Sequence, residues 1–274
     1  METSGLHRYS LAAAAFTLLL VITGAVVTSN QPGGHIPAAE QWFHQIVAGV
    51  VVLLTAGLAW RLSRVADRPA FPKLGWSALG LVVVQAVVPM LAPGAATLHA
   101  VLAQVFFGVT AAITVVTAPG WCAGEMVDDR MRPPLRTLAN ITLGMVLVQI
   151  ILGASVRHKV IGALSHIGFA VLVALAAMVL GMCVLNQAPQ HRTLRPAAIN
   201  LMVMTGIQVF LGFGAFIMKL MMADTATGVV VVTVAHVTTA ALTLGATVTL
   251  TLRIQRYFRA AAPEEASARP SVAS

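Results

Sequence analysis

The sequence predicts an all-α, polytopic membrane protein of eight transmembrane helices, arranged as two tandem four-helix bundles. Three observations carry this. Hydrophobic residues make up 58% of the 274 residues and charged residues only 9%, whereas soluble domains carry about 25% charged residues; mean hydropathy is +0.87. Eight apolar runs approach the roughly 20 residues that a membrane-spanning helix needs. The first four runs also resemble the last four in the placing of a few small and polar residues.

The runs are 9–29, 42–62, 74–91, 98–118, 135–156, 161–184, 196–217 and 228–252. Each is too long for a strand and lacks period-two alternation, so helices are expected rather than a barrel. The first run is long enough to span and has no small-residue cleavage site after a short apolar core, so it reads as a span and not as a cleavable signal. Basic residues orient the chain. Arg8; Arg61, Arg64, Arg68 and Lys73; Arg130, Arg132 and Arg136; Arg192 and Arg195; and Arg253, Arg256, Arg259 and Arg269 all fall on one side. Those are fourteen of the 17 basic residues. Only Arg157, Lys159 and Lys219 fall on the other. The expected location is the cell (plasma) membrane, multi-pass, with both termini cytoplasmic and membrane lipid as the surrounding partner. The net charge of +8 is spread over five separate segments as topology signals, so no nucleic acid is expected.

The charged segment 125–134 ends in Pro133-Pro134 and suits a cytoplasmic linker between an N-terminal unit (1–124) and a C-terminal unit (135–258). The tail 259–274 is small, polar and Pro-containing, a composition expected to be disordered. Cys122 and Cys183 lie far apart with no metal-type spacing, so neither a disulfide framework nor a zinc site is expected.

Span one closes in Gly24-Ala25 and span five in Gly153-Ala154. Span two begins at His44 and span six at His166, each followed by small and aliphatic residues. In spans four and eight, His99 precedes Gly108 and His236 precedes Gly245, nine residues on in both. Gln85, Gln149 and Gln208 each stand four residues before a Pro or Gly near the outer ends of spans three, five and seven. Halves with an even number of spans imply parallel repeats about an axis along the membrane normal.

All four histidines head even-numbered spans, so they share one depth near the outer leaflet. An ionisable residue inside a membrane helix is a functional candidate by default. In each half the two histidine-bearing helices run the same way, which suits a pair of imidazoles bracketing a flat metal macrocycle such as haem inside a four-helix bundle. Arg157 and Lys159, just before His166, are placed to meet haem propionates in the C-terminal half. The alternatives are histidines bonded to backbone carbonyls or headgroups, and zinc or copper sites, which need further ligands. Glu40 lies four residues before His44 and shares its helix face. It is either an acid beside the reacting group or an interfacial carboxylate favoured by the helix dipole. His35, His158 and His191 read as surface residues, and Met218, Met221 and Met222 as apolar filler.

The histidine at the outer start of each even span, the glutamate before the first of them, and the segments QIILGASVRH (149–158) and TLHAVLAQ (97–104) resemble the haem A synthase family over nearly the whole chain. That family oxidises the C8 methyl of haem O to a formyl group for terminal oxidases. The resemblance implies a haem b cofactor on His166 and His236, with Arg157 nearby. It implies substrate haem O against His44 and His99, with Glu40 as the catalytic acidic residue. It also implies an electron donor and a haem O-producing enzyme as partners. Family members usually have a longer first outer loop, often with a cysteine pair, and a three-residue glutamate-to-histidine spacing; here the loop is short, lacks cysteine, and the spacing is four. Two further readings stay open: a non-catalytic bis-histidine haem protein for electron transfer or oxidase assembly, and a small-solute transporter with histidine proton relays.

Overall fold

The computed structural model describes residues 2–30, 38–91 and 95–260. The eight expected spans are eight helices: α1 (Glu2–Ser29), α2 (Ala38–Ser63), α3 (Ala70–Leu91), α4 (Ala96–Val116), α5 (Leu135–Arg157), α6 (Ala163–Gln187), α7 (Leu194–Met221) and α8 (Thr227–Tyr257). All eight are long and apolar enough to cross a membrane, so the chain is an all-α, multi-pass membrane protein. Most helices overrun the apolar runs by a turn or more. A helix keeps its backbone groups bonded to one another wherever the slab ends, so hydropathy alone stops short of its ends. His35 and the tail 261–274 lie outside the described residues.

The outer surface is the apolar one. Leu53, Met90, Leu164 and Phe210 are among its most exposed side chains, as expected where lipid, not water, is the neighbour. Buried hydroxyls turn back on their own helices: Thr55 donates to the Val51 carbonyl, Thr142 to Leu138, Thr205 to Leu201 and Thr247 to Thr243. In lipid each such group needs an internal partner, and an i−4 carbonyl is always within reach.

Two rings of four helices result. In the first, α1 packs on α2 and α4, and α3 joins α2 to α4. In the second, α5 packs on α6 and α8, and α7 joins α6 to α8. The rings meet where α4 crosses α8, flanked by α1 against α8 and by α5 against α4. That pattern is unchanged when the halves are exchanged, as parallel repeats require. The two matched glycines sit at this crossing. A Cβ on Gly108 would stand 3.1 Å from Leu244, and one on Gly245 would stand 3.1 Å from Phe107. Each glycine admits the neighbouring helix's side chain, and the two contacts are reciprocal.

The linker is tied to the end of α8. Strand β1 (Val127–Asp129) pairs in parallel with β2 (Phe258–Ala260). Arg259 Nε donates to Asp128 Oδ1 at 2.6 Å, and this contact holds the guanidinium more firmly in its charged form. Asp129 accepts the Leu135 and Met131 amides, supplying the cap that Pro134 cannot. Arg259 and Ala260, expected as the start of the tail, belong to this strand pair. Cys122 and Cys183 are free thiols.

Candidate functional site

The histidines stand three to nine residues inside the starts of their helices, all partly buried at one end of the bundles. His236 is farthest in, nine residues past Thr227, yet it is level with His166. Their ring centroids are 6.3 Å apart and their planes meet at 89°. Two imidazoles bound to one metal on opposite sides, with metal–nitrogen bonds of about 2 Å each, have centroids roughly 6 Å apart. The separation of this pair is one that two imidazoles on a single metal would have.

Each histidine is fixed by the odd-numbered helix before it. The Gly-Ala pairs noted in the sequence are part of this device. Gly24 seats the His44 ring, Gly153 seats His166 and Gly212 seats His236; a Cβ there would meet the ring Cε1 at 3.1, 2.9 and 2.8 Å. Gly212→Ala is therefore expected to push the His236 ring off axis and weaken metal binding by the C-terminal pair about tenfold or more. Gly206→Ala, on the same helix with open space beyond its Cα, is expected to leave it unchanged. Optical titration of both purified variants with haem checks this.

His99 has no such glycine. Pro89 lies within α3 and has no N–H, so the Gln85 carbonyl four residues earlier lacks its helix partner. His99 Nδ1 takes that carbonyl at 3.0 Å. A carbonyl only accepts, so Nδ1 carries the proton and the Nε2 lone pair is left for a metal. His44 reaches the same tautomer differently. The Thr23 hydroxyl donates to the Leu20 carbonyl and so accepts from His44 Nδ1 at 2.9 Å. Pro89→Ala restores the helix bond and shares the carbonyl. The expected result is a more stable helix, by up to about 3 kcal/mol, with metal affinity of the His44–His99 pair lowered about tenfold. Thermal unfolding and haem titration of one preparation would show the two effects with opposite signs.

In the C-terminal half, amides replace these acceptors. Gln149 Nε2 lies 3.0 Å from His166 Nδ1 and also donates to the His166 carbonyl. Gln208 Nε2 lies 3.4 Å from His236 Nε2. An amide donor and a metal would compete for the same lone pair, so a metal on His236 Nε2 would have to displace the Gln208 amide.

Several buried polar atoms around this layer lack a protein partner: Glu40 Oε2, Gln85 Oε1, Gln104 Oε1, Gln149 Oε1, Gln208 Oε1, Arg157 Nη1 and His236 Nδ1. Each such atom costs about 1–3 kcal/mol if it stays unbonded. Glu40 is held at its other oxygen, where Asn30 Nδ2 donates at 2.9 Å. Arg157 reaches across the halves: Nη2 donates to the Ala25 carbonyl and to Ser29 Oγ at the end of α1. It thus serves the N-terminal bundle as much as its own. Gln104 also crosses, donating to the Val237 carbonyl beside His236.

His158 is half-buried. Burial, with Arg157 and then His99 nearby, pushes its imidazole below the usual range. His191 accepts the Thr193 and Leu194 amides at the start of α7 and packs on Tyr257, so its role is to cap a helix. Thr23, Asn30, Gly212 and Pro89 were not singled out by sequence; Gly212 and Pro89 were visible only as the residue four after a glutamine. Among the described residues no three His, Cys, Asp or Glu side chains converge as a metal group.

Fold and site together define a multi-pass helical membrane protein with two partly buried histidines at one end of each bundle, His166 and His236 standing side by side. Neither a protein-family model nor a curated protein matches the chain.

Proposed function

We propose that the protein is a haem A synthase-like membrane oxidoreductase that oxidises the C8 methyl of haem O to a formyl group. The observation that carries this reading is the His166–His236 pair, 6.3 Å apart and near-perpendicular, because two protein imidazoles at that spacing suit one iron. His166 and His236 would hold a haem b cofactor, and His44 and His99 would bind substrate haem O. The unbonded Gln208 and Gln149 oxygens would be polar partners for a bound group, and the glycine seats hold the ligating rings in place. When bound, haem supplies the iron-centred redox chemistry that no side chain offers.

The chain's own residues do the positioning. Thr23 and the Gln85 carbonyl orient His44 and His99 with Nε2 available. Arg157 Nη1 is free to meet a carboxylate while Nη2 stays anchored on α1. Glu40, steadied by Asn30, keeps Oε2 available to take a proton at the N-terminal pair. Glu40 precedes His44 on α2, whereas among the described residues no carboxylate is bonded beside His166 or His236, so this reading puts the reaction in the N-terminal bundle. A non-catalytic haem carrier would share the pairs but gives Glu40 Oε2 no task. The histidine end faces outward in this reading, with both termini cytoplasmic at the plasma membrane. A haem O-producing enzyme and an electron donor complete the system. Expression with a haem O supply, followed by pigment extraction and mass analysis, tests it. Formation of haem A supports the reading, and bound haem without conversion contradicts the enzyme.

A further inference from the structure

A groove of about 570 Å³ opens at the end of the N-terminal bundle opposite the histidines. Arg68, Lys73 and Ser77 contribute its polar atoms, and Phe71, Leu74 and Trp121 line it as apolar wall. No carboxylate lines it. Arg68 is pre-set: Nη2 donates to Cys122 Sγ at 3.0 Å, and the guanidinium stands 5.6 Å from the Phe71 ring centroid. Lys73 is exposed and mobile by chemistry. Two tryptophans near the groove, Trp60 and Trp76, are each 57% exposed, and Arg64 stacks over Trp60 at 5.1 Å. Exposed tryptophan beside arginine marks the level of the membrane–water boundary.

We infer that this groove binds one anionic phospholipid. Its phosphate is recognised by Arg68 and Lys73, and the start of an acyl chain lies along Phe71, Leu74 and Trp121. The charge is complementary, and basic pockets between membrane helices are suited to such headgroups. A free phosphate would satisfy the two cations and leave the apolar walls without a partner, so the lipid is the occupant that uses both parts of the groove. This inference does not depend on haem or on which way the chain faces.

The test is native mass spectrometry of the full chain released from phosphatidylcholine bilayers containing a minor fraction of phosphatidylglycerol. One retained phosphatidylglycerol per chain is expected. Its apparent affinity should fall about fivefold in Arg68→Gln or in Lys73→Gln and about thirtyfold in the double variant. Arg64→Gln, outside the groove, should change nothing. Because Lys73 is exposed, its variant carries the test even if Arg68→Gln disturbs the loop. Equal loss in Arg64→Gln, no loss in Lys73→Gln, or displacement of the lipid by millimolar inorganic phosphate would each overturn the proposal.

Discussion

Purified His236→Ala is expected to lose haem from the C-terminal bundle and to keep it in the N-terminal one. The ring 6.3 Å away, His166, would then be a lone ligand. Changes to residues that merely orient a ligand lower metal affinity about 10–100-fold, so loss of the ligand itself should exceed about 100-fold. His166→Ala should match it, because the proposed haem b needs both rings. His44→Ala or His99→Ala should leave the C-terminal absorbance in place. Redox spectroscopy on each variant, normalised to protein, reads the outcome. Equal loss of colour from all four variants would mean one shared site and not two.

Glu40→Gln is expected to abolish most turnover without removing either haem. The amide preserves size and the Asn30 contact at Oε1 but cannot take a proton at the second position. A positioned acid or base contributes about 10²–10⁴-fold to rate, so haem A formation should drop by that range while haem content stays constant. Asn30→Ala should give a smaller loss, because it frees the carboxylate to rotate without removing it. Pigment analysis after matched haem O supply separates these cases. An unchanged rate in Glu40→Gln would return this residue to an interfacial carboxylate at a helix start.

The eight spans were legible because lipid demands apolar length, and composition reports that directly. Their ends were not. Residues 70–73 carry a proline and a lysine, so the apolar run read from sequence starts at Leu74, yet the helix begins at Ala70. The four histidines were legible as isolated ionisable residues at matching depth. What fixes them was half-legible. Gly24 and Gly153 were visible as a repeated pair, but their use as ring seats depends on which helix faces which. Pro89 was visible as a break from glycine in the pattern. That it frees a carbonyl for His99 follows only once α4 is seen beside α3. Arg157 was placed by sequence with His166, the histidine that heads the next span. A long side chain at a helix end can cross to a neighbouring bundle, and here it bonds Ala25 and Ser29 on α1. The β1–β2 pair left no trace in sequence, because three-residue strands have no period to read.

In the proposed function two histidine pairs would each hold a haem. The most direct measurement is haem content and axial ligation of the wild-type chain purified after expression with haem supplied, read by pyridine haemochrome assay and by low-temperature paramagnetic resonance. The account predicts low-spin, bis-imidazole haem, approaching two per chain when both sites are filled. A well-folded, colourless protein that stays free of haem throughout titration would contradict it.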